Sequence, residues 1–346
     1  MRLKVGIDGK PLLPPKTGVY RYTAGLLRGL SGYPPQELEV EVVVPDHPTK
    51  TAPWVLWNLQ RVTRRGFAVF HFPFYYAPLF PACPVTVAIH DVLPLSHPTW
   101  FPRWWVNTLR LFIPRSARRA EAVVTFSRFV AEALGELCRV PQERIRIIPH
   151  GVDRTIFSPP SPEARKRGLS ELGLEKPFLV MVGALEPRRG VDTLLSAMAM
   201  IRQRVSDLEL VLVGGQRAPV PGLAPPPSWV RLLGHVEDRL LPALYAGAQV
   251  VVAPSRGEGF DLPVLEALAC GGCVVASDIP VHREVFSKAV ELFPVGDAEA
   301  LAEAVGRLLE DTSRRQSLRQ RGLELASSFS WEKAASEHVK LWRELS

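Results

Sequence analysis

A chain of 346 residues with 47% apolar content can bury two α/β cores, because single cores stop growing well before that size. A formal charge of +7 favours anionic partners, which range from nucleic acid through acidic membrane surfaces to phosphorylated ligands. No run approaches the roughly 18 uninterrupted apolar residues of a membrane span, and no nucleic-acid-binding pattern accompanies the charge, which excludes a spanning protein and disfavours a nucleic-acid partner.

The pattern 3–8 reads as a strand that opens at once. It lacks the apolar stretch and small-residue cleavage site of a secretory leader, so the expected location is the cytoplasm. Further strands are expected over 38–44, 67–71, 84–90, 122–126 and 144–149. Helices fall between them over 19–30, 54–64, 100–119 and 127–137, the last opened by Ser127 as N-cap. Short β-rich runs alternating with longer helical patterns predict a parallel sheet with crossover helices. A break follows at Ser158-Pro159-Pro160-Ser161-Pro162, and a basic linker leads into a second set. Its strands are expected over 178–183, 208–213, 230–233, 250–253 and 273–276, with helices from Val191, Glu237, Pro263, Pro280 and Asp297. The fold class is therefore α/β, with two Rossmann-like, doubly wound parallel sheets. Residues 1–157 form the first domain and 158–329 the second, while a basic, aromatic helix over 330–346 packs back on the first. Ligands are expected at the carboxyl ends of the strands, in a cleft where the domains face each other.

Cys270-Gly271-Gly272-Cys273 has the spacing of a redox or zinc half-site. Zinc needs four ligands, and Cys83 and Cys138 lie far away without a paired His, so the pair reads as incidental.

The most informative stretch runs from Ser255 to Ser277, as loop, helix and next strand. Pro263 suits a first helical turn. The amides of Gly259, Phe260, Asp261 and Leu262, with the positive end of the helix dipole, then offer an exposed phosphate and hydroxyl site. Glu258 precedes this helix and Glu266 stands about one turn inside it, so two carboxylates that accept sugar hydroxyls flank one donor-rich helix start. Solvated acids at a helix N-terminus are the plain alternative. The Gly257-Glu258-Gly259 loop beside apolar Phe260 and Leu262 would be an odd surface turn, which favours a site. Asp261 either caps the helix or accepts a hydrogen bond from the sugar. Gly18, in the first loop, either lets backbone approach a diphosphate closely or simply starts a helix. His90 and Asp91 end one strand, where both could face the cleft, and His71 and His150 end two others; His71, Asp91 and His150 are candidates for the acceptor side.

These residues closely resemble those of the family 4 retaining glycosyltransferases of the GT-B fold, whose signature sets two glutamates within E-G-F-x-L-P-x-x-E-A. The resemblance continues, in the family's order, through Thr17-Gly18-Val19-Tyr20-Arg21-Tyr22, Ile89-His90-Asp91-Val92-Leu93, Ile148-Pro149-His150-Gly151-Val152-Asp153, Val182-Gly183-Ala184-Leu185-Glu186-Pro187-Arg188-Arg189-Gly190 and Phe329-Ser330-Trp331. It implies that Glu258 contacts the donor sugar and Glu266 the ribose of the nucleotide. It also implies that the amides of Gly259 to Leu262 hold sugar hydroxyls and phosphate, and that His90 sits near the reacting sugar. Basic residues opening the second domain would neutralise the diphosphate. Two departures stand out. Ala184 occupies a position where the family often has Arg, so Arg188 and Arg189 are the expected substitutes, suited to bidentate phosphate binding; which arginine reaches which phosphate is left open. Asp261 stands where Gly is commoner.

The implied reaction is retaining transfer of a hexosyl group from a nucleotide sugar to a glycan or lipid-linked acceptor, with no covalent carboxylate intermediate. The leaving phosphate takes the acceptor proton, while Arg188, Arg189 and the helix dipole stabilise its charge. The chain contains no Asp-x-Asp, and neither metal nor cofactor is expected. GDP-mannose is the first donor guess, ahead of UDP-glucose and UDP-N-acetylglucosamine. An epimerase or phosphorylase would share the architecture, and a catalytically silent nucleotide-sugar-binding subunit is the alternative from another class. The stretch 101–119 combines Trp105, Leu109 and Phe112 on one helical face with Arg103, Arg110, Arg115, Arg118 and Arg119. This suits peripheral contact with an anionic membrane, at its inner face, unless the aromatics pack the helix onto its sheet.

Overall fold

Residues 2–14, 17–45 and 54–346 are described by a computed structural model, in which the continuous apolar runs have become strands of two parallel sheets. Strands buried on both faces lose the polar alternation of half-exposed ones, and the all-apolar Val250–Ala253 illustrates this. The chain divides into one unit of Met1–Gly151 with Phe329–Ser346 and another of Val152–Ser328.

In the first unit the strands are β1 (Leu3–Asp8), β2 (Leu38–Val43), β3 (Val69–Phe72), β4 (Val85–Ala88), β5 (Ala122–Thr125) and β6 (Ile145–Ile147), in the order β2-β1-β3-β4-β5-β6. Every pairing is parallel. Crossovers run through α1 (Gly18–Leu30), α2 (Arg103–Arg119) and α3 (Arg128–Cys138), the last capped by Ser127, whose hydroxyl accepts from the Val130 amide at 3.3 Å. The second unit begins with α4 (Pro162–Glu171), in a segment expected to be a linker. Ser161 caps it by accepting from the Ala164 amide at 3.2 Å, and Pro162 fills its first turn.

There follow β7 (Phe178–Val182), α5 (Val191–Ile201), β8 (Glu209–Val213), β9 (Val230–Gly234), α6 (Leu241–Gly247), β10 (Val250–Ala253), α7 (Leu262–Ala269), β11 (Val274–Ser277), α8 (Pro280–Val285), β12 (Glu291–Phe293), α9 (Ala298–Glu310) and α10 (Thr312–Ala326). Their sheet runs β12-β11-β10-β7-β8-β9. The last helix, α11 (Trp331–Leu345), belongs to the first unit.

Helix α11 docks on α1 through Trp331, which lies so close that a Cβ on Gly25 would stand 2.0 Å from its ring. A buried hydrogen-bond chain fastens the same interface. Trp342 Nε1–H donates to Thr86 Oγ1 (3.2 Å), and the Thr86 hydroxyl meets His71 Nδ1 (2.8 Å). His71 Nε2 meets the Tyr22 hydroxyl (2.8 Å), Tyr22 meets His338 Nε2 (2.9 Å), and His338 Nδ1–H donates to the Ala334 carbonyl (2.8 Å). Burial keeps both imidazoles neutral, and the last bond then fixes the direction of the whole chain: His338 Nε2 accepts from Tyr22, Tyr22 accepts from His71 Nε2–H, and Thr86 donates to His71 Nδ1.

Burial pulls the His338 imidazole from about 6.5 down to about 4 and holds His71 well below its usual value. The unfolded chain therefore binds the His338 proton more readily than the native state does. The stability from this group is present above pH 6.5 and is lost as pH falls toward 4. By pH 5 it amounts to about 2 kcal/mol for His338 alone. Denaturant titrations at pH 7 and pH 5 should show this loss, and it should shrink when His338 is replaced by Gln.

Of the two readings the sequence left open for α2, packing holds for this face: Trp105 and Phe112 pack on the core and Leu109 is fully buried. The exposed apolar residues are Trp104 (69%) and Leu111 (46%), among exposed Arg103, Arg110, Arg115, Arg118 and Arg119. No helix among the described residues is long and apolar enough to cross a membrane.

Candidate active site

In the second sheet the strand order reverses between β10 and β7, which pair in parallel. Neighbouring crossovers leave such a switch point in opposite directions, opening a crevice at the carboxyl ends of its two strands. The turn 183–190 leaves β7 there and the loop 254–261 leaves β10. Gly190 permits their close approach: its φ is +66°, and a Cβ would stand 2.0 Å from the Pro254 carbonyl oxygen. Arg256 ties the two segments, donating to the Pro187 carbonyl at 2.8 Å and pairing with Asp192 at 2.5 Å.

This packing brings Arg188, Arg189 and Glu258 together. Arg188 Nη1–H donates to Glu258 Oε2 at 3.1 Å and to the Gly257 carbonyl at 3.3 Å, while its Nε lies 2.7 Å from Glu186. Arg189 is buried, donates from Nη1 to Glu258 Oε1, and donates from Nη2 to the Val182 carbonyl at 3.1 Å. The Ser255 hydroxyl donates to Glu258 Oε1 at 2.9 Å. Two guanidinium groups are thus preset around one carboxylate, an arrangement that can be redirected to an incoming diphosphate.

The loop at residues 257–261 is buried, not exposed as the sequence suggests, and Leu262, which opens α7, is half-buried. Phe260 meets Phe286 edge to face with ring centroids 5.7 Å apart. Asp261 takes the N-cap position with φ +73° but makes no side-chain hydrogen bond to the helix, so capping is excluded. Its Oδ1 lies 3.5 Å from Arg189 Nη1 and its Oδ2 receives His282 Nε2 at 3.1 Å. Glu266 is buried in α7 and accepts from the Tyr245 hydroxyl at 3.3 Å.

The first unit gathers other expected residues around Tyr22. Its ring packs within 6.2 Å of His71, His90, His150, Phe126, Trp331 and His338. His71 has both ring nitrogens committed inside this core, and His150 is buried, stacked on Phe126 at 3.8 Å. His90 Nε2–H donates to the Pro73 carbonyl at 2.8 Å, and burial pulls the ring down to about 4. It is neutral at pH 7 and carries its lone pair on Nδ1. Asp91 accepts from the Leu93 amide at 3.0 Å, opening the short helix Leu93–Ser96. Gly18 is the exposed first residue of α1, with open space where a Cβ would project.

Sequence reasoning missed four residues. Ser255 and His282 support the acids of the arginine cluster, and Ser277 links them, donating to the Ser255 carbonyl. Asp8, ending β1, accepts from Trp54 Nε1 at 2.9 Å and is pushed up to about 6 by burial. His282 follows the carboxyl end of β11, which adjoins β10, and that adjacency is set by the sheet and not by local spacing. Cys270 and Cys273 are buried free thiols, both raised by burial.

A family model described as Glycosyltransferase Family 4 matches residues 26–156, and one described as Glycosyl transferases group 1 matches residues 176–311. The chain is 28% identical over 316 residues to the O-antigen chain mannosyltransferase B of Escherichia coli, a match covering 89% of this chain and 81% of that one. It is 33% identical over 227 residues to a D-inositol 3-phosphate glycosyltransferase of Salinispora tropica, covering 58% of this chain and 46% of that one, so it spans about half of that relative's length. Among solved structures, HepE of Anabaena in complex with UDP and glucose is similar in fold, with a TM-score of 0.77 and 19% identity over 100% of both chains.

Proposed function

The chain belongs to the family 4 glycosyltransferases of the GT-B fold, and from that premise we propose that it moves a hexosyl group from a nucleotide diphosphate sugar to a glycan or lipid-linked acceptor with retention of configuration. The observation that carries the proposal is the pairing of Arg188 and Arg189 with Glu258 at the switch point of the second sheet. There the arginines meet the diphosphate, Glu258 the transferred sugar, Glu266 the ribose, and the backbone from Gly259 to Leu262 the sugar hydroxyls. The bond between the anomeric carbon and the β-phosphate oxygen breaks, and the acceptor oxygen bonds to that carbon on the same face. The acceptor proton passes to the departing phosphate. Charge developing on that phosphate is stabilised by the arginines, so no metal is needed. His90, neutral and fixed in one tautomer, belongs near the reacting sugar, with Asp91 beside it on the acceptor side.

The E. coli relative's name favours a mannosyl donor, so GDP-mannose is the first choice and UDP-glucose the second. Thermal stabilisation by a panel of nucleotide sugars decides between them, since a ligand at 100 times its Kd adds about 2.7 kcal/mol. Transfer assays with and without EDTA accompany the panel. Loss of transfer in EDTA, restored by magnesium or manganese, would refute leaving-group stabilisation by arginine. A panel in which no nucleotide sugar stabilises the protein would refute the function.

We also propose peripheral contact with an anionic membrane through the exposed face of α2. It bears Trp104 and Leu111, and none of its arginines forms an ion pair with a carboxylate among the described residues. Each basic residue at such a surface contributes about 1 kcal/mol. Reversing Arg103 and Arg110 to Glu should weaken co-sedimentation with anionic vesicles at low salt and leave donor binding unchanged. A wild-type protein that ignores anionic vesicles at low salt would end the proposal.

A further inference from the structure

We propose that Asp261 sets how tightly the donor half-site holds a nucleoside diphosphate, by competing with the diphosphate for Arg189. The inference rests on the reading that Arg189 neutralises the leaving group. Position 261 has φ +73°, a left-handed backbone that Gly adopts freely and Asp at a cost. Strain of this kind persists only where its surroundings enforce it. Asp261 does not cap the helix, and its side chain has no exposed surface with which to reach a sugar.

What surrounds it is a closed ring of polar contacts. His282 Nδ1–H donates to the Ser277 carbonyl at 2.8 Å, and its Nε2 holds Asp261 Oδ2 at 3.1 Å. The Ser277 hydroxyl donates to the Ser255 carbonyl, the Ser255 hydroxyl to Glu258 Oε1 at 2.9 Å, and Arg189 closes the ring between Glu258 and Asp261. Asp261 Oδ1 has no hydrogen-bond partner among the described residues and stands 3.5 Å from Arg189 Nη1.

The carboxylate is thus pinned from behind by His282, with its remaining oxygen directed at the guanidinium. Burial alone would raise the Asp261 carboxyl, but the charge of Arg189 and the His282 hydrogen bond outweigh it and hold the group below its usual range. Glu258, also paired with Arg188, and Asp261, also held by His282, therefore both draw on Arg189, a cation that the diphosphate also needs. Such competition weakens the hold on the diphosphate after transfer, and so favours its release.

Isothermal titration of the full chain with GDP and with UDP tests this, using wild type, Asp261→Asn and Asp261→Gly. Asn keeps the size, can accept from His282 and tolerates the left-handed backbone; Gly removes the strain as well as the charge. Both variants should bind the diphosphate about tenfold more tightly, which is about 1.4 kcal/mol, and more so at low salt. Should Gly prove unstable, Asn alone carries the test. Unchanged or weaker binding in the Asn variant overturns the proposal, as does tightening in Gly alone, which would trace to strain. A wild type that binds neither diphosphate overturns the donor-site reading and this inference with it.

Discussion

Replacing Arg189 by Met should lower turnover about a thousandfold, near the upper end of what removing one preorganised donor to a developing anion costs. Donor KM should rise by about tenfold, because the guanidinium also meets the ground-state diphosphate. A second effect acts on the fold. Without Arg189, the buried carboxylates of Glu258 and Asp261 face each other with one shared cation removed, and breaking a buried ion pair costs about 3–5 kcal/mol. Catalysis and stability are separated by Arg189→Lys, which keeps a charge near Glu258 but cannot also reach the Val182 carbonyl as the guanidinium does. It should recover most of the stability and only part of the turnover. Arg188→Met should be milder in both respects, since Arg188 is less buried and is also paired with Glu186. Steady-state kinetics with thermal melts read both effects, and an Arg189→Met enzyme within tenfold of wild-type turnover would remove Arg189 from the leaving-group role.

The central strands of both sheets were legible because burial on two faces demands continuous apolar runs. β12 was missed because Glu291–Phe293 is a three-residue edge strand with no run to recognise. The helix expected from Asp297 onward is two helices, because Asp311 closes the first and caps the second by accepting from the Arg314 amide at 2.8 Å. Glu258 and Glu266 stood out through local spacing, since loop and helix are contiguous. His282 and Ser277 did not, because they reach Asp261 and Ser255 only through the order of strands in the sheet. Which face of α2 meets the core was left open for a similar reason. A helix with aromatics on two faces does not reveal in sequence which face meets the core, and here Trp105 and Phe112 do while Trp104 does not.

Glu258→Gln and Glu266→Gln should fail in different ways, because the two carboxylates serve different partners. Glu258 accepts from Arg188, Arg189 and Ser255 at once. An amide there is neutral and directs its own N–H groups toward one of the guanidiniums, so the arginines lose the anchor that presets them. Turnover should fall about a hundredfold through lost preorganisation, while nucleoside diphosphate affinity does not fall, since the site has become more positive. Glu266 stands about one turn along α7 and accepts from Tyr245. Gln keeps an acceptor for that hydroxyl, so the helix should pack as before. What it loses is a charged acceptor for the ribose, and hydrogen bonds to charged groups are worth about 1.5–3 kcal/mol. Nucleotide affinity should drop by at least about tenfold, with turnover at saturating donor within a few fold of wild type. Calorimetry with GDP and UDP, paired with kcat and KM for the donor, distinguishes the two outcomes. If the effects were exchanged, or if both variants matched wild type, the sugar and ribose assignments would be wrong.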